Sequence, residues 1–236
     1  MILVRSLVFA LLFYLWSASL ALSALPIIWL APKSWSVALM KFWARSATGL
    51  LAVVCGVRLE IRGRRHLPSG GALIAAKHQC MFDTLAPLPV FADAAYVMKR
   101  ELMNIPVYGW YCRKAEMIVI DREANAKALR QLLADSRRCL AEERQVVIFP
   151  EGHRMAPGAK GDYKPGVAAI YRDLGAPCVP MATNSGVHWP AHGFLRRPGV
   201  IVYEFLEPIP AGLHRAEFMR TLEERLESAS AALERE

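Results

Sequence analysis

His78 and Asp83 stand five residues apart in the run Lys77-His78-Gln79-Cys80-Met81-Phe82-Asp83, and Phe149-Pro150-Glu151-Gly152-His153-Arg154 follows further along the chain. A histidine held by a carboxylate is a general base. The carboxylate fixes the imidazole tautomer and stabilises the imidazolium that forms when the ring takes a proton. Five residues on an ideal helix lie about 500° apart and share no face. The two side chains therefore meet only if a turn precedes a helix that begins near Asp83 or Thr84. The competing reading is a capped helix, with Asp83 as N-cap and His78 an ordinary loop residue.

The second motif predicts a sharp turn at the end of a strand. Gly152 lets the backbone approach a ligand closely, and Arg154 can grip a phosphate with its planar guanidinium. A strand-end turn with a solvated arginine is the plainer alternative. Glu151 is a poor phosphate neighbour and is expected to orient an arginine or a substrate hydroxyl. Arg122, at the end of the strand Met117–Asp121, and Lys99, at the end of Ala95–Lys99, are further candidate anion ligands. For Arg122 the alternative is a surface ion pair. Lys164 precedes a short helix whose N-terminus also favours an anion. Cys80 could pair with His78 as a nucleophile, but a free cysteine more often acts as a small apolar residue. His78 and Asp83 have no evident third ligand for a metal. His188 and His192 read as loop residues.

These residues need a scaffold that brings strand ends together. Past residue 57 the pattern alternates between short apolar runs and amphipathic stretches. The strands expected are Arg58–Arg62, Ala72–Ala76, Ala95–Lys99, Met117–Asp121, Gln145–Phe149, Cys178–Thr183 and Gly199–Phe205. Helices are expected over Asn125–Glu142, Val167–Leu174 and Ala216–Glu234. The alternation implies one α/β domain with a largely parallel sheet flanked by helices. In such sheets ligands bind beyond the carboxyl ends of the strands, where His78, Arg122 and Glu151 fall.

The first 57 residues differ in kind. No charged residue occurs from Ser6 to Pro32, a run long enough to cross the hydrocarbon layer of about 30 Å, with Pro26 bending or ending its helix. A second apolar run, Ser46 to Val57, is too short to span alone and is expected to lie in the interface or return as the second arm of a hairpin. Arg5 and Ala21-Leu22-Ser23-Ala24 resemble a signal sequence and its cleavage site. The apolar run continues through Ile27, Ile28, Trp29 and Leu30, which favours a retained anchor. Residues 1–57 are thus read as a membrane anchor or helical hairpin and 58–236 as the catalytic domain.

The net charge of +8 includes Arg5, Lys33, Lys41 and Arg45, with no acid before residue 58. Basic residues beside Trp16, Trp29, Trp35 and Trp43 form an interfacial pattern suited to anionic headgroups. No nucleic-acid partner is expected, since no basic run interleaves with aromatics. The five cysteines are scattered without a CxxC pair, which suggests neither a zinc site nor a disulfide framework and favours a reducing compartment.

Taken together, the motifs resemble those of the lysophosphatidic acid acyltransferases, within the glycerolipid acyltransferase superfamily. His78 to Asp83 is similar to the family's His-x4-Asp block, Ile120-Asp121-Arg122 to its second, Phe149 to Arg154 to its Phe-Pro-Glu-Gly-Thr-Arg block and Val179-Pro180 to its fourth. Lys99-Arg100-Glu101-Leu102 and Lys164-Pro165-Gly166 match segments between and after them. Cys80 stands where serine is usual, and His153 where threonine or serine is usual.

The resemblance implies that His78, oriented by Asp83, deprotonates the sn-2 hydroxyl of a lysophospholipid, which attacks the thioester of acyl-CoA or acyl carrier protein. It implies that Arg122, Arg154 and Lys99 or Lys164 hold the phosphate, that Glu151 and Gly152 shape that site, and that no metal or prosthetic group is needed. The first-choice acceptor is lysophosphatidic acid. The alternatives are another lysolipid, such as a lyso-ornithine lipid or a phospholipid being remodelled, then a membrane-anchored phosphoester hydrolase or a non-catalytic anionic-lipid binder. The expected location is the inner, cytoplasmic membrane, with the catalytic domain facing the cytoplasm.

Overall fold

A computed structural model describes residues 1–121 and 125–236. Two long helices open the chain, α1 (Ile2–Ser23) and, after the short α2 (Leu25–Leu30), α3 (Lys33–Cys55). Then follow β1 (Val57–Arg62), β2 (Ala72–Ala76), β3 (Ala94–Lys99), α4 (Tyr108–Lys114), β4 (Ile118–Ile120), α5 (Asn125–Ala141) and β5 (Gln145–Ile148). The chain closes with α6 (Gly166–Leu174), β6 (Cys178–Thr183), α7 (Ser185–His188), β7 (Gly199–Phe205) and α8 (Arg215–Leu233). Among the described residues the strands form one seven-stranded sheet in the order β1-β7-β6-β2-β5-β3-β4. Every pairing is parallel except β6 with β7.

Each central strand is apolar on both faces, because helices cover both. Ala72, Ile74 and Ala76 of β2 face the α1–α3 hairpin, in a core with Phe9, Phe13, Ala44, Ala47 and Leu51. Leu73 and Ala75, offset by one residue and so turned to the other face, pack with Leu132, Val167, Phe218 and Leu222 of α5, α6 and α8. The hairpin therefore shares a core with the sheet.

The helix α3 is longer than the apolar run suggested. It takes in the stretch from Lys33, and its 23 residues make it, like α1, long and apolar enough to cross a membrane by length and composition. The charges that interrupt its pattern are accommodated: Lys41 Nζ donates to the Ala92 carbonyl at 2.6 Å, and Arg45 is exposed. Gly56 ends the helix at φ +69°, a left-handed cap that glycine adopts without strain and that turns the chain into β1.

Both ends of the hairpin are tied to the α/β body. At its tip Lys33 Nζ lies 2.9 Å from Glu116 and 3.5 Å from Asp93, near the amino ends of β4 and β3. At its base the Arg196 amide donates to Ser6 Oγ at 2.8 Å, and the Gly199 amide donates to the Gly56 carbonyl at 3.1 Å. Because β1 and β7 run against the other strands, β1 begins level with the carboxyl ends of β6 and β2. The base of the hairpin thus lies at the carboxyl edge of the central strands.

Candidate active site

The carboxyl end of β2 leads straight into Lys77 and His78. A 3-10 turn over Met81–Thr84 follows, with Cys80 in extended conformation at its N-cap. Asp83 closes this turn. Its Oδ2 accepts the amides of Gln79 (2.7 Å) and Cys80 (2.8 Å) and lies 3.0 Å from His78 Nδ1. Its Oδ1 accepts the Tyr203 hydroxyl at 2.9 Å. The capping and orienting readings of Asp83 are thus not exclusive: one carboxylate has the geometry for both, reaching back from inside the turn rather than from its N-cap.

Asp83 is fully buried. Burial alone would raise its pKa, but the hydrogen bond and charge of His78 and the Cys80 amide outweigh burial and hold it below the usual value. An ionised carboxylate only accepts, so His78 Nδ1 carries the proton and Nε2 is left as a proton acceptor. The imidazole stacks on Phe149 with ring centroids 4.1 Å apart and keeps 14% of its side chain exposed to solvent. The Tyr203 phenol is pushed well up by burial and by the Asp83 charge and so remains a donor. Burial, followed by the Asp83 charge, also pushes the Cys80 thiol well up. Its thiolate is disfavoured, which argues against Cys80 as nucleophile.

β5 is the neighbour of β2, so Glu151 arrives beside His78. Among the described residues its partners are Lys77 and the His78 amide rather than an arginine. Glu151 is fully buried and turned inward: Oε1 lies 2.7 Å from Lys77 Nζ and Oε2 accepts the His78 amide at 3.3 Å. Burial raises the Glu151 carboxyl, with Lys77 pulling the other way. Gly152 takes φ +71° immediately after it, a conformation that costs a non-glycine residue about 1–2 kcal/mol.

The candidate cations are more spread. Arg154 is exposed and precedes Met155, whose amide donates to the His78 carbonyl at 2.8 Å. Lys164 is also exposed, and its amide donates to the Pro150 carbonyl at 2.8 Å. Residues 152–165 thus form a loop whose two ends lie beside Glu151. Lys99 is exposed at the end of β3, one strand beyond β5. Arg122 lies outside the described residues, and Asp121 before it pairs with Arg100. The strand order places β4 three strands from β2, roughly 14 Å away at the usual spacing. The three strand ends share an edge, but only those of β2 and β5 are adjacent. His188 bonds the Arg197 carbonyl through Nδ1 at 3.1 Å, and His192 is exposed.

Sequence reasoning passed over Lys77, Gln79 and Tyr203. Lys77 and Gln79 flank His78 and are buried despite their polarity, but polarity in a sequence carries no sign of burial. Tyr203 lies 120 residues from Asp83, and no local signal joins them.

The matched segment of an acyltransferase family model runs over residues 58–184, more than half of the chain, and contains His78, Asp83 and Glu151. The chain belongs to the acyltransferase family. A 1-acyl-sn-glycerol-3-phosphate acyltransferase of Pseudomonas aeruginosa is 37% identical over 159 residues, covering 67% of this chain and 62% of that protein. The human 1-acyl-sn-glycerol-3-phosphate acyltransferase alpha is 30% identical over 132 residues, covering 55% of this chain and 47% of that protein. The matches therefore span less than two thirds of the length of these curated relatives. The crystal structure of the 1-acyl-sn-glycerophosphate (LPA) acyltransferase PlsC from Thermotoga maritima superposes with a TM-score of 0.79 over 99% of both chains at 21% identity. That likeness extends the acyltransferase fold to the hairpin as well as the sheet.

Proposed function

We propose that this protein transfers an acyl group from acyl-CoA or acyl carrier protein to the sn-2 hydroxyl of lysophosphatidic acid, giving phosphatidic acid. The observation that carries the reading is the buried Asp83 carboxylate on Nδ1 of a partly exposed histidine. This leaves Nε2 as the base. As Nε2 takes the hydroxyl proton, the substrate oxygen attacks the thioester carbonyl. The tetrahedral intermediate collapses, the carbon–sulfur bond breaks, and the thiolate leaves, taking up the proton from the imidazolium. Asp83 stabilises that imidazolium between the two transfers.

Arg154 and Lys164 supply cations from the loop that begins and ends beside Glu151, with Lys99 as a further phosphate ligand along the same edge and Arg122 as one read from the sequence motif. Gly152 keeps the turn tight beside them. Glu151 acts from behind, holding the His78 amide and Lys77. The reaction so written needs no metal or prosthetic group.

We place residues 1–57 at a membrane and residues 58–236 as the catalytic part. The outer side of the hairpin exposes Leu3, Leu7, Leu11, Trp16, Trp35 and Phe42. α3 is about 35 Å long, and the α/β body is tied to both ends of the hairpin. A hairpin held at both ends favours lying along one leaflet over crossing it. The cytoplasmic face of the inner membrane suits a thioester donor.

The test is acyl transfer in micelles with labelled acyl-CoA, then acyl carrier protein, and lysophosphatidic acid beside a panel of other lysolipids. Phosphatidic acid is expected from the wild type, with a loss on the order of 10²–10⁴-fold in His78→Ala. Histidine-dependent transfer to another lysolipid alone would move the acceptor, and no transfer from either donor would sink the reading.

A further inference from the structure

The residues on either side of His78 are tied to one helix. Lys77 Nζ, buried beside Glu151, also lies 2.7 Å from Glu227 Oε1. Gln79 is fully buried: its Nε2 donates to Glu234 Oε1 at 2.6 Å while its Oε1 accepts the Gly186 amide at 2.9 Å. The same two carboxylates, one on α8 and one at its C-cap, reach the 152–165 loop. Glu227 Oε1 accepts the Tyr163 hydroxyl at 2.9 Å, and Glu234 Oε2 accepts the Gly158 amide at 2.9 Å. One turn earlier, Glu223 pairs with Lys160 at 2.6 Å.

Steps of four and seven residues put positions 223, 227 and 234 along one side of α8. Docking of the helix rests on a different stripe, Phe218, Leu222, Leu226 and Leu233, buried in the core. The carboxylates are therefore not what holds α8 in place. Burying a lysine between two acids costs desolvation that apolar packing would avoid. What the arrangement provides is a fixed geometry for the backbone on both sides of the base.

We infer that Glu227 and Glu234 are positioning residues: from α8 and its C-cap they fix His78 through its two neighbours and hold the Arg154-bearing loop against it. The kinetic part of this inference rests on the acyltransferase reading; the structural part does not. A misplacement of about 1 Å can cost on the order of 100-fold in rate, so small shifts at Lys77 or Gln79 suffice.

The test compares Glu227→Gln, Glu234→Ala and, as a control, Glu224→Gln, an exposed α8 residue whose carboxylate lies 3.7 Å from Arg220 one turn away in the same helix. Hydrogen exchange is followed over residues 77–83 and 152–165, and kcat and KM are measured with whichever lysolipid the wild type accepts. The two variants should exchange faster in those segments with α8 itself still protected. Glu227→Gln should lower kcat about tenfold, its link running through Lys77 and Glu151 to the His78 amide. Glu234→Ala should also raise KM by freeing the loop. The control should match the wild type. Lower melting temperatures with unchanged kcat, KM and loop exchange would make the stripe merely structural and overturn the inference. A wild type inactive on every acceptor removes the acyltransferase reading, and loop exchange alone then decides the clamp.

Discussion

Asp83 serves two structures at once. Its carboxylate satisfies the amides of Gln79 and Cys80, which stabilises the turn, and the same oxygen faces His78 Nδ1. Asp83→Asn replaces an acceptor by a group half of which is a donor facing donors. We expect it to cost about 3 kcal/mol of stability and on the order of 10⁴-fold in kcat, read by urea unfolding and by the transfer assay. The pH dependence has a definite sign. The folded pKa of Asp83 lies below its ordinary value, so its stabilising contribution is present above roughly pH 4 and is lost as pH falls through the folded pKa. Unfolding curves measured downward from neutrality should therefore steepen in acid for the wild type and be flatter for Asp83→Asn. Equal slopes would remove Asp83 as the group responsible.

At the scale of elements, β2, β6 and β7 are legible in the sequence to the residue, because each is a short apolar run between turn formers, buried between helical layers. α3 is not, since Lys41 and Arg45 break its apolar pattern and the reason they are tolerated lies in the tertiary structure. α4, a short helix over Tyr108–Lys114, carries too little periodicity to be read at all. The reversal between β6 and β7 is likewise invisible, because strand direction follows from where the intervening chain travels. The pairing of His78 with Asp83 was legible as a possibility, but which group Glu151 meets was not, for its partner Lys77 shows nothing in the sequence of being buried.

The segment between α7 and β7 has a role at this scale too. Phe194 is 64% exposed, and two residues on Arg196 lies over Trp189 and bonds Ser6 of α1. The loop is thus held against α1 and carries an exposed aromatic next to two arginines, Arg196 and Arg197. All five cysteines are buried, so in Phe194→Cys an environment-sensitive dye should react with the introduced thiol alone. On anionic vesicles its emission should shift to the blue and be quenched by nitroxide lipids. Emission unchanged from that in water would place the loop outside the bilayer.

The molecule as a whole does not divide where its composition does. Phe9, Phe13, Ala44 and Leu51 of the hairpin share one core with Ile74, Val147 and Tyr203 of the sheet. Exposing a large apolar side chain costs about 2 kcal/mol, and several lose their cover together if the hairpin is removed. Deleting residues 1–55 should therefore give aggregated or molten protein rather than a soluble catalytic domain. A monomer with a sharp thermal transition would contradict this.

The antiparallel step between β6 and β7 has one more consequence. By turning β1 around, it starts that strand at the edge that bears His78, so the base of the hairpin and the proposed base catalyst open on the same side. An acceptor dissolved in the bilayer would then be met by lateral diffusion, in two dimensions. The quantity that governs the rate becomes the acceptor's mole fraction in the surface. Adding inert detergent at constant bulk lysolipid should slow the reaction, and restoring the surface fraction should restore it. A rate that follows bulk concentration through such a dilution would mean that the acceptor arrives from water.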